Sequence, residues 1–293
     1  MGNRIAVGRG RKVFNIINHL FLAVVGLVTL YPVLYVLAAS LSNNQYVTEG
    51  LVTVYPMGFT LQAYQRVLSY SMVTLAYFNT VVYTVTGTAI SVVLTALGAY
   101  PLSRRKFRGK RVLTGIVVFA MLFNGGIVPT FLVVKGVGLY NSFWAMVLPG
   151  AVWTFNLIIM RTFFEQIPVE MEESASLDGC NPFQTLFKIY LPLAVPGLVT
   201  VGLFYAVSQW NSFFPALIYL RDSRLMPIQI VIRDIVIQNQ TDNLMTDLIS
   251  TQDQVSESIK YAVIIIATLP MMILYPFIQR FFIKGAMLGA VKG

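Results

Sequence analysis

The sequence predicts an all-α, polytopic membrane protein with six transmembrane helices, and three observations carry that reading. Apolar stretches at about 13–41, 72–100, 112–134, 142–160, 193–220 and 259–281 are each long enough to cross a hydrocarbon core, which takes about 20 helical residues. Only 11% of residues are charged and mean hydropathy is +0.70, whereas soluble domains carry about 25% charged residues. The charges collect between the stretches, so the chain reads as one transmembrane domain over residues 1–293 with polar loops.

The first stretch follows a basic start containing Arg4, Arg9, Arg11 and Lys12. A signal peptide has the same order, and Ala38-Ala39-Ser40 would be a poor cleavage site. Signal-peptide apolar cores run to about 7–15 residues, so this longer run reads as a spanning helix. Residues 42–71 form a polar external loop. The second span, 72–100, is rich in Thr80, Thr84, Thr86, Thr88, Ser91 and Thr95, small residues that let helices approach and bond across the contact. Pro101 ends it. Arg104, Arg105, Lys106, Arg108, Lys110 and Arg111 then crowd a short loop.

The third span is interrupted at Asn124-Gly125-Gly126 and Pro129, a break tolerable only where protein or water surrounds it. The fourth follows a short turn. The fifth carries Ser208, Gln209, Trp210 and Asn211, and the sixth carries Pro270 and Pro276 as kinks. Between the last two lies the longest external segment, 221–258, holding Asp222, Asp234, Asp242, Asp247, Asp253 and Glu257. Within it, 226–238 is apolar enough to lie as a helix on the membrane or protein surface.

Six spans place both termini on one side of the membrane. Of the 21 Lys and Arg, only Arg66, Lys135, Arg221, Arg224 and Arg233 fall in segments on the opposite side, with Lys260 at a span edge. The positive-inside rule therefore puts the termini and the loop at 161–192 in the cytoplasm. The net charge of +9 is thus a matter of membrane topology and calls for no nucleic acid. The single cysteine, Cys180, excludes an internal disulfide or CxxC site. The single histidine, His19, has no second histidine with which to share a metal, and no metal site is expected.

The loop at 161–192 is the most informative segment. It holds Glu165, Glu170, Glu172, Glu173 and Asp178. Pro168 suits a first helical turn, and carboxylates suit the positive end of the helix that follows, over about 168–178. Gly179 supplies the stop, in a left-handed conformation. Asn181 then caps a second helix begun by Pro182. Its Phe183, Leu186, Phe187, Tyr190 and Leu191 recur at helical spacing and should face inward. The outcome is a helical hairpin offering its turn, with Met171, Ser174, Ala175 and Glu173, to something outside.

The spacing Glu173-Ser174-Ala175, three residues, Gly179, nine residues, Ile189-x-Leu191-Pro192 resembles the EAA cytoplasmic loop of ABC importer permeases, with Ser174 in place of the first alanine. Trp210-Asn211 with Phe214-Pro215 and the ending Lys284-Gly285 to Gly293 look like the sugar-importer permeases of that family. The wording is similar to permeases for complex saccharides such as the alginate importer's smaller membrane subunit. The resemblance implies a type I importer in a bacterial inner membrane. In it this chain would form the path with a second, homologous permease, embedded in lipid. Two cytoplasmic ATPase subunits would bind ATP and Mg, leaving no cofactor in this chain, and an external solute-binding protein would deliver an oligo- or polysaccharide.

By the same resemblance, Met171, Glu173, Ser174, Ala175, Asp178 and Gly179 would meet an ATPase. Asn243, Asp247 and Asp253 of the external loop are expected to contact the binding protein. Gln209, Trp210, Asn211 and Asn124 combine hydrogen-bonding groups with an aromatic face and could line a sugar path, or could simply bond neighbouring helices. Two other classes fit less well. A secondary transporter would carry ionisable groups within its spans, and a membrane enzyme would need a catalytic cluster that one His and one Cys do not make. An ABC permease for a non-sugar solute is the nearer alternative.

Overall fold

The structure is a computed structural model that describes residues 9–105, 107–123, 125–237 and 257–290, with side chains through 276; among these every regular element is helical. The chain divides into two compact units, Met1–Tyr70 with Ile235–Ile266, and Ser71–Asp234 with Ala267–Gly293.

The first unit contains α1 (Arg9–Ser40), α2 (Asn44–Thr48) and α3 (Gln62–Ser69). Its small core joins Ala38 and Ala39 to Val47 and Val52. Ser42 accepts from the Met57 amide at 2.9 Å while donating to the Ala38 carbonyl, and Ser40 bonds the Tyr64 hydroxyl at 2.7 Å. Asn43 caps α2. The earlier part of α1 exposes nearly all of its apolar side chains.

The second unit is organised on α4 (Ser71–Ser103). Pro101 does not end this helix. It sits in the last turn without an N–H to bond back to Leu97, and the helix stops two residues later at Ser103. The third apolar stretch is two helices, α5 (Lys110–Leu122) and α6 (Ile127–Gly136), split at the expected glycine break. The fourth is also divided, into α7 (Phe143–Val147) and α8 (Thr154–Glu165). Pro149 contributes to this, since it has no N–H with which to carry the helix on, although Leu148 before it still has helical backbone.

The hairpin supplies α9 (Val169–Leu177) and α10 (Pro182–Thr185). A π turn over Leu186–Tyr190 and α11 (Leu191–Leu193) then lead into α12 (Val195–Trp210). After a break at Asn211-Ser212 come α13 (Phe213–Tyr219), α14 (Ile228–Ile237) and α15 (Glu257–Ala290), the last running through both of its prolines.

Small residues let α12 and α8 close on α4. Gln209 of α12 lies so near Gly87 that a Cβ there would come within 2.7 Å of its Nε2. Thr95 bonds the Tyr205 hydroxyl at 2.7 Å, and that hydroxyl accepts from the Trp153 amide at 2.9 Å, so α4, α12 and the approach to α8 share one polar knot. At the other end of α4, Asn79 donates to the Arg224 carbonyl, Tyr83 donates to the Leu225 carbonyl, and Thr80 accepts from the Ile228 amide. The start of the 221–258 segment is therefore pinned down. Its helix α14 buries Ile228, Ile230 and Val231 within the protein, where the sequence alone allowed a membrane surface.

Candidate functional site: the hairpin on α4

The turn of the hairpin closes as its residues demand. Gly179 has φ +78°, the Gly179 amide donates to the Ser176 carbonyl, and the Cys180 amide reaches back to Ala175. This paired closure of orphan carbonyls needs the left-handed residue in the middle. Asn181 and Gln184 then cap each other's backbone at 2.9 Å in both directions, a capping box that starts α10. Pro168 stands at the N-cap of α9, one position before its first helical residue.

Beneath α9 sits a contact that the sequence reading missed. Glu172 is only 9% exposed. Its carboxylate pairs with the Arg104 guanidinium at the end of α4 and accepts from the Tyr190 hydroxyl at 2.8 Å. Tyr100, Phe164 and Tyr190 meet edge-on around it, at 4.9 Å for Tyr100–Tyr190 and 5.5 Å for Phe164–Tyr190, and Arg104 lies 5.3 Å from the Tyr100 ring centre. One carboxylate thus ties α4, α9 and the π turn together. Lowering the dielectric strengthens such a group's pairing while making its loss costly.

A second ionic link braces α8 against α5. Glu165 accepts from Lys110 at 2.8 Å and from Arg161 at 3.0 Å. Burial pushes its carboxyl upward, but the hydrogen bonds from Lys110 and Arg161 outweigh that and hold it below its ordinary value.

The outer side of α9 carries Met171, Glu173, Ser174 and Asp178 as expected, all exposed. Ala175 corrects the expectation. At 3% exposure it lies inward with Glu172, three residues before it, and is not on the offered face. In its place the structure offers Leu177, 90% exposed, which helical spacing from Glu170 and Ser174 could have flagged. Phe183 and Phe187 are the other correction, since they stay 66% and 55% exposed. Of that apolar set only Leu186 and Tyr190 are buried, and Phe187 lies within a π turn that adds a residue to the local period.

The candidate sugar-path residues separate. Gln209 and Trp210 are buried, and the indole donates to the Ala267 carbonyl at 2.9 Å while meeting Tyr77 edge-on. Asn211 is exposed and bonds its own helix at the Val207 carbonyl. Asn124, Asn243, Asp247 and Asp253 lie outside the described residues.

Residues 87–287, which take in most of α4 and the whole hairpin, match the family model described as the inner membrane component of binding-protein-dependent transport systems. The chain belongs to this family. Among members of this permease family it is 44% identical to the polygalacturonan/rhamnogalacturonan transport system permease protein YtcP of Bacillus subtilis, over 96% of this chain and 99% of that one. The trehalose transport system permease protein SugB of Mycobacterium tuberculosis is 29% identical over 90% of this chain and 93% of its own. Among solved structures, a bacterial ABC transporter involved in import of the acidic polysaccharide alginate superposes with a TM-score of 0.88. It is 35% identical, covering 94% of this chain and 98% of that one. The fold is accordingly that of a type I ABC permease.

Proposed function

We propose that this permease forms half of the path of an ATP-driven importer for acidic oligosaccharides, with its hairpin on the cytoplasmic side as the element that couples to an ATPase subunit. The observation that carries the reading is the hairpin's construction. An exposed face of Met171, Glu173, Ser174, Leu177 and Asp178 stands on a support locked to α4 by Glu172 and Arg104. A face meant only to lie on lipid would not need a buried ion pair beneath it. The uronate-rich substrates in the names of YtcP and the alginate importer favour an acidic saccharide, and the family's dependence on binding proteins favours delivery by an external one.

In this reading the second permease supplies the other half of the path, while ATP and Mg are held by the ATPase subunits. Basic residues gathered at 104–111 favour the same cytoplasmic orientation. The test is uptake by the assembled complex in proteoliposomes. Oligogalacturonate or oligoalginate should enter only with internal ATP and external binding protein, at least tenfold faster than a neutral oligosaccharide of equal length. Uptake without nucleotide, or preference for the neutral sugar, would sink the proposal.

A further inference from the structure

Two cavities share the Phe107 ring as a wall, between the end of α4 and the start of α5. One, of about 660 Å³, has largely carbon walls from Leu97, Tyr100, Pro101, Phe183 and Leu186, with Arg104 at its edge. The other, of about 430 Å³, is lined by Arg108, Lys110, Arg111, Thr114 and Arg161. Arg104 is already paired with Glu172, and Lys110 and Arg161 share Glu165. Among the described residues no ion pair engages Arg108 or Arg111.

These cations also sit at the wrong end of a helix. Lys110 and Arg111 open α5, no acidic residue lies in its first turn, and Gly109 at the N-cap gives no side-chain cap. A helix N-terminus carries partial positive charge and repels cations placed there. An anion lodged among them relieves that repulsion and pairs Arg108 and Arg111. The occupant must therefore be anionic on one side of Phe107 and apolar on the other. A free phosphate meets only the first demand, and an apolar peptide only the second.

We propose that the paired cavities hold an anionic glycerophospholipid. Its phosphate lies among Arg108, Lys110, Arg111 and Arg161, and an acyl chain runs past Phe107 along Leu97, Phe183 and Leu186. This placement covers the exposed Phe183 ring and makes the lipid a bridge between α4, α5 and the support of the hairpin. Basic pockets between spanning helices at the membrane edge are known to suit such headgroups.

The test uses the assembled transporter in nanodiscs of phosphatidylcholine with graded phosphatidylglycerol, then detergent washing and native mass spectrometry. Phosphatidylglycerol should be retained where phosphatidylcholine is not, and 10 mM inorganic phosphate should not displace it. Arg108→Gln with Arg111→Gln should weaken retention by about 30-fold, taking about 1 kcal/mol for each guanidinium facing an anionic lipid. Arg108→Lys with Arg111→Lys should restore it to within about threefold. Leu97→Trp, which fills the apolar cavity and leaves every cation in place, should also release the lipid. If the Gln pair fails to assemble, the Lys pair and Leu97→Trp still decide. Equal retention of phosphatidylcholine, displacement by phosphate, or efficient crosslinking of Arg108→Cys to a partner subunit in lipid-replete membranes would each overturn the proposal.

Discussion

Two polar interruptions look alike in the sequence and end in opposite situations. Around 168–181 the polar residues other than Glu172 face outward from a hairpin whose backbone is closed on itself by Gly179, Asn181 and Gln184. Around 209–211 the polar residues mostly turn inward, with Trp210 bonded to Ala267 and Gln209 pressed onto Gly87. The difference is one of backbone bookkeeping. Where local caps satisfy the chain, side chains are free to meet a partner; where a helix is merely broken, neighbouring side chains are drawn in to satisfy it.

The contrast can be broken most forcefully at the inward site. Trp210→Ala removes a buried indole and its hydrogen bond to the Ala267 carbonyl, which should cost about 3–5 kcal/mol. The expected result is a large fall in the melting temperature of the purified complex, with transport lost in proportion to folded protein. If Trp210→Ala keeps its stability but changes which saccharides are carried, the residue belongs to the path and the contrast fails.

Glu172→Ala should follow, at about 3 kcal/mol, because it strands the Arg104 guanidinium and the Tyr190 hydroxyl. Transport should drop well before the complex leaves the membrane, measured as uptake per assembled transporter. The outward face is expected to respond in another way. Leu177→Asp should leave melting unchanged within about 0.5 kcal/mol while abolishing ATPase stimulation by liganded binding protein. A melting shift as large as that of Glu172→Ala would show that Leu177 is structural.

Gly179→Val should cost about 1–2 kcal/mol from the left-handed backbone alone, since a Cβ there would meet nothing within 4 Å of the chain itself. Any loss of transport beyond that fold change reports a partner's closeness at the turn. The smallest effect concerns Glu165. Its folded carboxyl titrates below its unfolded one, so its stabilisation is present above the unfolded value, about 4.3, and is lost as pH falls through the folded value. Thermal stability should fall more steeply in the parent than in Glu165→Gln as pH drops below about 4.3, and the two should run parallel from about pH 7 to pH 5.

The hairpin was legible because its determinants act over a few residues. Pro168 opens α9, Gly179 stops it, and Asn181 with Pro182 starts the next helix. The orientation proposed for the loops rests on the distribution of Lys and Arg alone. Glu172 could not be understood that way, because its partner Arg104 is 68 residues away and its neighbours Glu170 and Glu173 look equivalent in the sequence. The inward fate of Ala175 follows from Glu172 and was hidden with it. Phe187 escapes a 3.6-residue period because it lies in a segment that winds as a π turn, whereas Phe183 precedes that turn and its exposure has no local signal in the sequence. Apolarity likewise concealed the break at Pro149, as the residues on both sides of it remain hydrophobic.

The tie through Glu172 gives the hairpin the mechanics of a lever with two loads. Its tip at Leu177 is the free end. One load, α4, hangs from Arg104, and the other, α12, is drawn through Tyr190 and the turns that follow it. In the proposed coupling role, a torque applied at the tip meets a turn whose backbone bonds are already closed. It is delivered to both helices at once, and because those helices are packed on each other, the second unit answers as one gear rather than as separate rods.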